Sequence, residues 1–360
     1  LATRLVSRGD AVTAYNRHSR QARGKPAPPK MYRGVRIIQI PTFRDRRLNA
    51  IVYSILGTLR LLPGRFDLVH YHAEGPCIML WLPKLFHVPT VATIHGLDWQ
   101  RAKWGNFASR MLKKGEARAA RDADALIVLS RNMQDYFRET YGRETIFIPN
   151  GIERPKRRPA ALITRQYGLC EDGYILFLAR LVPEKGIHYL INAFRQTGTD
   201  KKLVIAGGQG SAEEYVEEIH RLAEGDDRIL FTGFVEGQCL EELYSNCYFF
   251  VLPSDMEGMA LGLLEGMSYG RCCVVSDIPE NTEVTGPHAV TFPKGDTEGL
   301  RRVMEELLAD PARVRRYAAE AQDYVCARYN WDDVTERTRE VYQQVLASRR
   351  GSRRKAPARR

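Results

Sequence analysis

The chain has 360 residues, 44% of them hydrophobic and 27% charged, which suits two folded domains and excludes a disordered, collagen-like or fibrous polymer. Its net charge of +11 is uneven: Lys and Arg outnumber Asp and Glu 25 to 11 in residues 1–150, whereas residues 151–330 carry 20 against 28. Apolar runs such as Cys77–Leu82 and Tyr248–Leu252 fall far short of the roughly 20 residues of a membrane-spanning helix, so none is expected.

Taken in chain order, Leu1–Val6 reads as a helix that turns through Arg8-Gly9-Asp10 into a strand at Val12–Tyr15. No secretory signal is visible, and a strand that should open such a series is expected to be missing. Further strands are predicted at Val35–Ile40, Asp67–His72, Thr90–His95, Ala125–Leu129 and Ile146–Ile148. The Pro, Gly and basic residues of Pro149–Pro159 suit an exposed connector. A second series follows at Tyr174–Ala179, Lys202–Ala206, Ile229–Phe231, Tyr248–Leu252, Cys272–Ser276 and Ala289–Phe292. Short strands alternating with helical patterns predict an α/β chain of two Rossmann-like domains facing across a cleft. The boundaries expected are 1–150 with a crossover helix at 331–348, 151–330, and a disordered basic tail at 349–360. Seven cysteines without a CxxC pair suit reduced thiols and a cytoplasmic setting.

Functional residues of such sheets lie just after the strands. In the first half, His70 and His72 alternate on one strand, and with His95 they raise a metal site, which no acidic or cysteine ligand supports. The stretch His72-Ala73-Glu74-Gly75-Pro76 suits the lining of a ligand cleft, against a purely structural turn. His95-Gly96-Leu97-Asp98 leaves the end of another strand, which is unusual for a core histidine and marks His95 and Asp98 as site residues.

In the second half, Arg180 and Lys185 in Arg180-Leu-Val-Pro-Glu-Lys185-Gly follow a strand and open a helix, where two cations can neutralise a diphosphate. The run Pro253-Ser-Asp-Met-Glu257-Gly258-Met259-Ala260-Leu261-Gly-Leu-Leu-Glu265-Gly also follows a buried strand. Backbone amides from Gly258 to Leu261 at a helix start favour a phosphate, and Glu257 and Glu265, the latter about two turns into the helix, can each accept two hydrogen bonds from a vicinal diol.

Glu257 and Glu265, with seven residues between them, together with the Arg180–Lys185 motif, resemble retaining glycosyltransferases of family 4 over essentially the whole chain. The resemblance implies a GT-B fold and a nucleotide diphosphate sugar as co-substrate, with no metal and no further cofactor. It assigns Glu257 to the donor sugar, Glu265 to the ribose hydroxyls, Arg180 and Lys185 to the diphosphate, and His95 to the donor sugar from the opposite side. Val235, in the loop Gly233-Phe234-Val235, falls beside the nucleobase, although Phe234 could equally be core. Gly262 departs from the commonest pattern, which bears on sugar specificity. The residues around His72 and His95 are similar to bacterial capsule or exopolysaccharide glycosyltransferases. That similarity implies a saccharide or polyprenyl-diphosphate-linked saccharide acceptor at the inner face of the plasma membrane, where the basic half could meet anionic lipid.

The different-class alternative is a truncated, catalytically inactive nucleotide-sugar-binding homologue. A nicotinamide dehydrogenase lacks its GxGxxG, since Gly207-Gly208-Gln209-Gly210 is a poor match, and no aromatic-interleaved basic motif points to nucleic acid.

Overall fold

Branched and aromatic runs bounded by glycine, proline and polar turns set the strands, and periodic apolar stripes set the helices between them. The computed structural model describes residues 1–19, 29–42, 46–97, 99, 106–208 and 212–355. Its contacts divide the chain into two units, Leu1–Pro149 with Trp331–Arg360, and Asn150–Asn330.

The strands of the first unit are β1 (Thr13–Ser19), β2 (Met31–Tyr32), β3 (Val35–Thr42), β4 (Val69–His72), β5 (Thr90–Ile94), β6 (Ala125–Val128) and β7 (Ile146–Phe147). Its helices are α1 (Ala2–Ser7), α2 (Arg46–Leu61), α3 (Glu74–Cys77), α4 (Trp81–Leu85), α5 (Asn106–Asp122) and α6 (Arg131–Tyr141). The second unit contains β8 (Tyr174–Leu178), β9 (Lys202–Ala206), β10 (Ile229–Gly233), β11 (Phe249–Leu252), β12 (Cys272–Ser276) and β13 (Val290–Phe292). Its helices are α7 (Leu162–Tyr167), α8 (Ile187–Phe194), α9 (Glu213–Ala223), α10 (Gly237–Asn246), α11 (Leu261–Ser268), α12 (Pro279–Thr285), α13 (Thr297–Ala309) and α14 (Pro311–Arg328). Helix α15 (Trp331–Lys355) belongs to the first unit.

In the first unit β4-β5-β6-β7 form a parallel sheet, and β1-β3-β2 form a mixed one in which β1 runs parallel and β2 antiparallel to β3. Alternate side chains of β5 and β6 point to opposite faces. Ala92, Ile94, Leu126 and Val128 pack with Cys77, Leu80, Ala119, Met133 and Phe137 of the helices on one side. On the other face Val91, Ala125 and Ile127 pack with Ile148 and with Val334, Val341 and Val345 of α15. Helix α6 is held at both ends: the Ser130 hydroxyl accepts from the Met133 amide at 3.3 Å, and Gly142 closes the helix at φ 60°.

Two features differ from the sequence expectations. The β2–β3 hairpin turns on Arg33 and Gly34 at φ 46° and 82°, both in the left-handed region that a tight hairpin needs; a two-residue strand carries no alternation from which to read it. Helix α15 continues to Lys355, past Ser348 where the basic composition suggested irregular chain.

The second unit has one six-stranded sheet in the order β10-β9-β8-β11-β12-β13, with every pairing parallel. Strands β11 and β12 are buried along their whole length, as expected when helices cover both faces. The strand order reverses between β8 and β11, and at such a switch point ligands bind beyond the carboxyl ends of the strands.

Candidate functional site

Because β8 and β11 are parallel neighbours, the chain segments that follow them emerge side by side. Their contact is close. Gly186 has φ +66°, and a Cβ there would lie 2.1 Å from the Pro253 carbonyl oxygen, so only glycine fits. The Asp255 amide donates to the Glu184 carbonyl at 2.9 Å, and the Tyr189 hydroxyl reaches the Asp255 carboxylate at 3.3 Å.

This junction brings Lys185 against Glu257 in an ion pair whose side chains keep only 13% and 6% of their exposure. The Ser254 hydroxyl donates to the same Glu257 oxygen at 2.7 Å. Ser254 is itself braced, since its carbonyl accepts from the Ser276 hydroxyl, and the Asn281 amide donates to that hydroxyl at 3.1 Å. Arg180 is exposed at the carboxyl end of β8, where the neighbouring Leu181 amide donates to the Gly208 carbonyl at 3.1 Å.

Gly258, Met259 and Ala260 are buried, whereas Leu261, the first residue of α11, is 50% exposed. No side chain caps this helix start. Glu265 lies just over one turn into α11, not two, because the helix begins only at Leu261. It accepts from the Tyr244 hydroxyl at 3.0 Å. Burial raises its pKa, and the Tyr244 hydrogen bond opposes that rise. Gly262 sits where a Cβ would meet the Leu178 carbonyl oxygen at 2.8 Å, which accounts for glycine at this position. Val235 is half-buried, and Phe234, which could have been core, is 73% exposed beside Gly208.

In the first unit, His95 follows β5 and its Nε2 lies 3.1 Å from His72 Nδ1. His72 in turn stacks on His70 with ring centroids 4.1 Å apart. His70 is satisfied at both nitrogens, by the Tyr342 hydroxyl at 2.6 Å and the Thr93 hydroxyl at 2.7 Å. Burial, with His72 and His95 adding to it, lowers the His70 pKa well below the ordinary imidazole value. His72 keeps ring surface at the strand end, yet the surrounding protein and His95 hold its pKa down to about 4. Both rings are therefore neutral near pH 7. Among the described residues no group of three or more His, Cys, Asp or Glu could hold a metal ion. Asp98 lies outside the described residues.

Sequence reasoning missed three supporting residues. Glu116 is fully buried and accepts from the Trp99 indole at 2.8 Å, the Tyr136 hydroxyl at 2.8 Å and the Tyr141 hydroxyl at 2.6 Å, which anchors the chain just beyond His95. Lone acids and tyrosines inside helices carry no spacing signal for such a cluster. Tyr244 and Asn281 escaped notice because they reach the site from helices that do not carry its motifs.

The chain is similar to known proteins over both of its halves. The chain matches the family "Glycosyl transferases group 1" over residues 164–343 and "Glycosyltransferase Family 4" over residues 1–154. It is similar to glycogen synthase of Mycobacterium tuberculosis, 32% identical over 315 residues that cover 84% of this chain and 73% of that one. Among solved structures, sucrose-phosphate synthase from Thermosynechococcus elongatus superposes with a TM-score of 0.81 at 22% identity, covering 96% of this chain and 92% of that chain. HepE of Anabaena, in complex with UDP and glucose, superposes with a TM-score of 0.75 at 18% identity and 87% coverage of each chain. With both halves matched and a GT-B architecture shared with these structures, the chain belongs to the family 4, or group 1, glycosyltransferases.

Proposed function

We propose that the protein transfers a hexosyl or deoxyhexosyl group, with retention at the anomeric carbon and without a metal, from a nucleotide diphosphate sugar to a saccharide or lipid-linked saccharide acceptor in cell-surface polysaccharide synthesis. The observation that carries the donor half of this reading is the junction of the β8 and β11 loops. There a cation and an acid, Lys185 and Glu257, are held together and nearly buried at the carboxyl edge of the sheet. The UDP and glucose bound to HepE support a nucleotide sugar as donor.

On this reading Arg180 and Lys185 neutralise the diphosphate, the amides from Gly258 to Leu261 add partial positive charge at the start of α11, Glu257 holds hydroxyls of the transferred sugar, and Glu265 holds those of the ribose. Val235 lies by the base, and His95, with Asp98, serves the transferred sugar by polar stabilisation. As the anomeric C–O bond to phosphate breaks, positive charge develops on the sugar and negative charge on the leaving diphosphate. The acceptor oxygen attacks from the same face, and its proton passes to a diphosphate oxygen, so no enzyme nucleophile is required.

A peripheral position at an anionic membrane surface, reached from the cytoplasm, is part of the same proposal. The basic balance of residues 1–150 supports it, as do the exposed Ile55, Leu56 and Leu59 of α2 and Trp81, Leu85 and Phe86 at α4, which lie close in sequence to exposed Arg60, Arg65 and Lys84. Among the described residues no helix is long and apolar enough to cross a membrane. Flotation with anionic but not neutral liposomes is expected, and equal recovery from both removes this part of the reading.

The donor reading is tested by the melting temperature of the full chain with UDP, GDP, ADP and dTDP and their sugars. One nucleotide class should raise it, Glu265→Ala should abolish the rise, and Glu257→Ala should keep the rise with free nucleotide but lose turnover. A panel in which no nucleotide stabilises the protein overturns the proposal.

A further inference from the structure

From the contact between α10 and α11 we infer that Tyr244 is a positioning residue, which holds the Glu265 carboxylate in the orientation and charge state that ribose recognition requires. The inference rests on the assignment of Glu265 to the ribose and extends it to a residue outside both motifs.

Tyr244 is 1% exposed, and its ring stacks on Tyr269 with centroids 5.4 Å apart and planes 11° apart. So placed, the ring cannot swing, and its hydroxyl is fixed between two acceptors: Glu265 Oε2 at 3.0 Å and the Gly262 carbonyl at 3.2 Å. A phenol has one proton to donate. The ionised carboxylate is the stronger acceptor, so the proton goes to Glu265 whenever Glu265 is charged. Gly262, whose carbonyl is the second acceptor, is glycine because a Cβ there would lie 2.8 Å from the Leu178 carbonyl oxygen.

The hydrogen bond occupies one lone pair of Oε2 and leaves Oε1 and the second lone pair of Oε2 for a vicinal diol. It also opposes the desolvation that would otherwise favour the protonated acid. Other groups facing Glu265 do little to its charge. Tyr269 and Tyr244 are both held neutral by burial, and Cys273 of β12, packed below Gly266, has a thiol whose pKa burial drives far up. Arg158 and Glu241 act on Tyr269 but are paired with each other. From α14 the neighbouring Gln322 is uncharged and donates to the Ser268 carbonyl. Tyr244 is thus the one hydrogen-bond donor to this carboxylate among the described residues.

The test compares the full chain with its Tyr244→Phe variant, which keeps the stacked ring and removes only the hydroxyl. The probes are UDP and 2′,3′-dideoxy-UDP, or the GDP pair if the nucleotide panel selects guanine. Affinities are measured by calorimetry between pH 6 and 8. The two probes share the diphosphate, so its own titration cancels in their ratio. Wild type should prefer the ribonucleotide. Tyr244→Phe should lose about tenfold in affinity for it while binding the dideoxy analogue within about twofold of wild type. The loss should deepen toward pH 6, because an acid without its donor protonates at higher pH. Glu265→Gln should bind with a ribo-to-dideoxy ratio that does not vary with pH. Equal weakening of both nucleotides by Tyr244→Phe overturns the inference and leaves Tyr244 a packing residue. A persistent pH-dependent ratio in Glu265→Gln overturns it also. A wild type that does not distinguish the two nucleotides removes the ribose assignment of Glu265 itself, which is a different failure.

Discussion

Lys185 and Glu257 illustrate how a nearly buried pair constrains substitution. Each charge is stabilised by the other, so removing one strands its partner away from water, at a cost of about 3–5 kcal/mol, whereas replacing both by neutral residues of similar size can be close to neutral. Lys185→Met is therefore expected to lower the melting temperature clearly, and Lys185→Met with Glu257→Gln to restore most of it. If the pair serves the donor, the restored double variant will still lack transferase activity. Calorimetric melting and a turnover assay on the same three proteins separate stability from chemistry, and a fully active double variant would leave the pair a structural one. Glu116 presents the complementary case, one fully buried acid with three donors. Glu116→Gln faces those donors with an amide that has one acceptor oxygen, so a loss of about 2–3 kcal/mol is expected in chemical denaturation.

At the level of elements, Glu242 of α10 caps the start of α7. Its Oε2 accepts from the amides of Ala161, Leu162 and Ile163 at 2.9, 2.7 and 3.1 Å, and its other oxygen accepts from Gln238 at 2.7 Å. Burial alone would raise its pKa, but the Gln238 amide and the three backbone amides outweigh it and the net shift is downward. A depressed folded-state pKa means that the stabilisation is present above the ordinary value of 4.5 and is lost as pH falls through the lower folded value. The gap in melting temperature between wild type and Glu242→Gln should thus be constant above about pH 5.5 and close as the solution is acidified below 4.5. A gap independent of pH would exclude the cap as an ionised one. No sequence pattern announces this cap, because donor and acceptor are about 80 residues apart. The strands of the second unit were legible for the opposite reason: runs such as Phe249–Leu252 and Cys272–Val275 are apolar throughout, and a sheet covered on both faces demands just that. Arg180, Lys185 and Glu257 could be placed in loops after strands from their order alone. That Lys185 meets Glu257 could not, since β8 and β11 become neighbours only through a strand order that periodicity does not encode.

For the molecule as a whole, the chain's path sets what can be separated. The second unit is a single continuous stretch, Asn150–Asn330, and its ends meet: the Ile152 amide donates to the Tyr329 carbonyl at 2.6 Å, and Ile152 bridges Asn330. Arg154 pairs with Asp323, so the first turn of chain and the last helix of this unit are also tied by charge. The first unit, by contrast, depends on a late segment, because α15 supplies Val334, Val341 and Val345 to one face of its sheet. Deleting α15 exposes Val91, Ala125 and Ile127 to water and should leave the first unit unable to fold. Domains whose termini adjoin and whose core is their own tolerate excision. Residues 150–330 made alone should therefore unfold in one cooperative transition. If Arg180, Lys185, Glu257 and Glu265 hold the donor, that fragment should also gain heat stability from the same nucleotide as the full chain, and if His95 serves the transferred sugar it should catalyse no transfer. Cooperative melting with no response to a nucleotide that stabilises the full chain would show that the donor needs groups outside this unit.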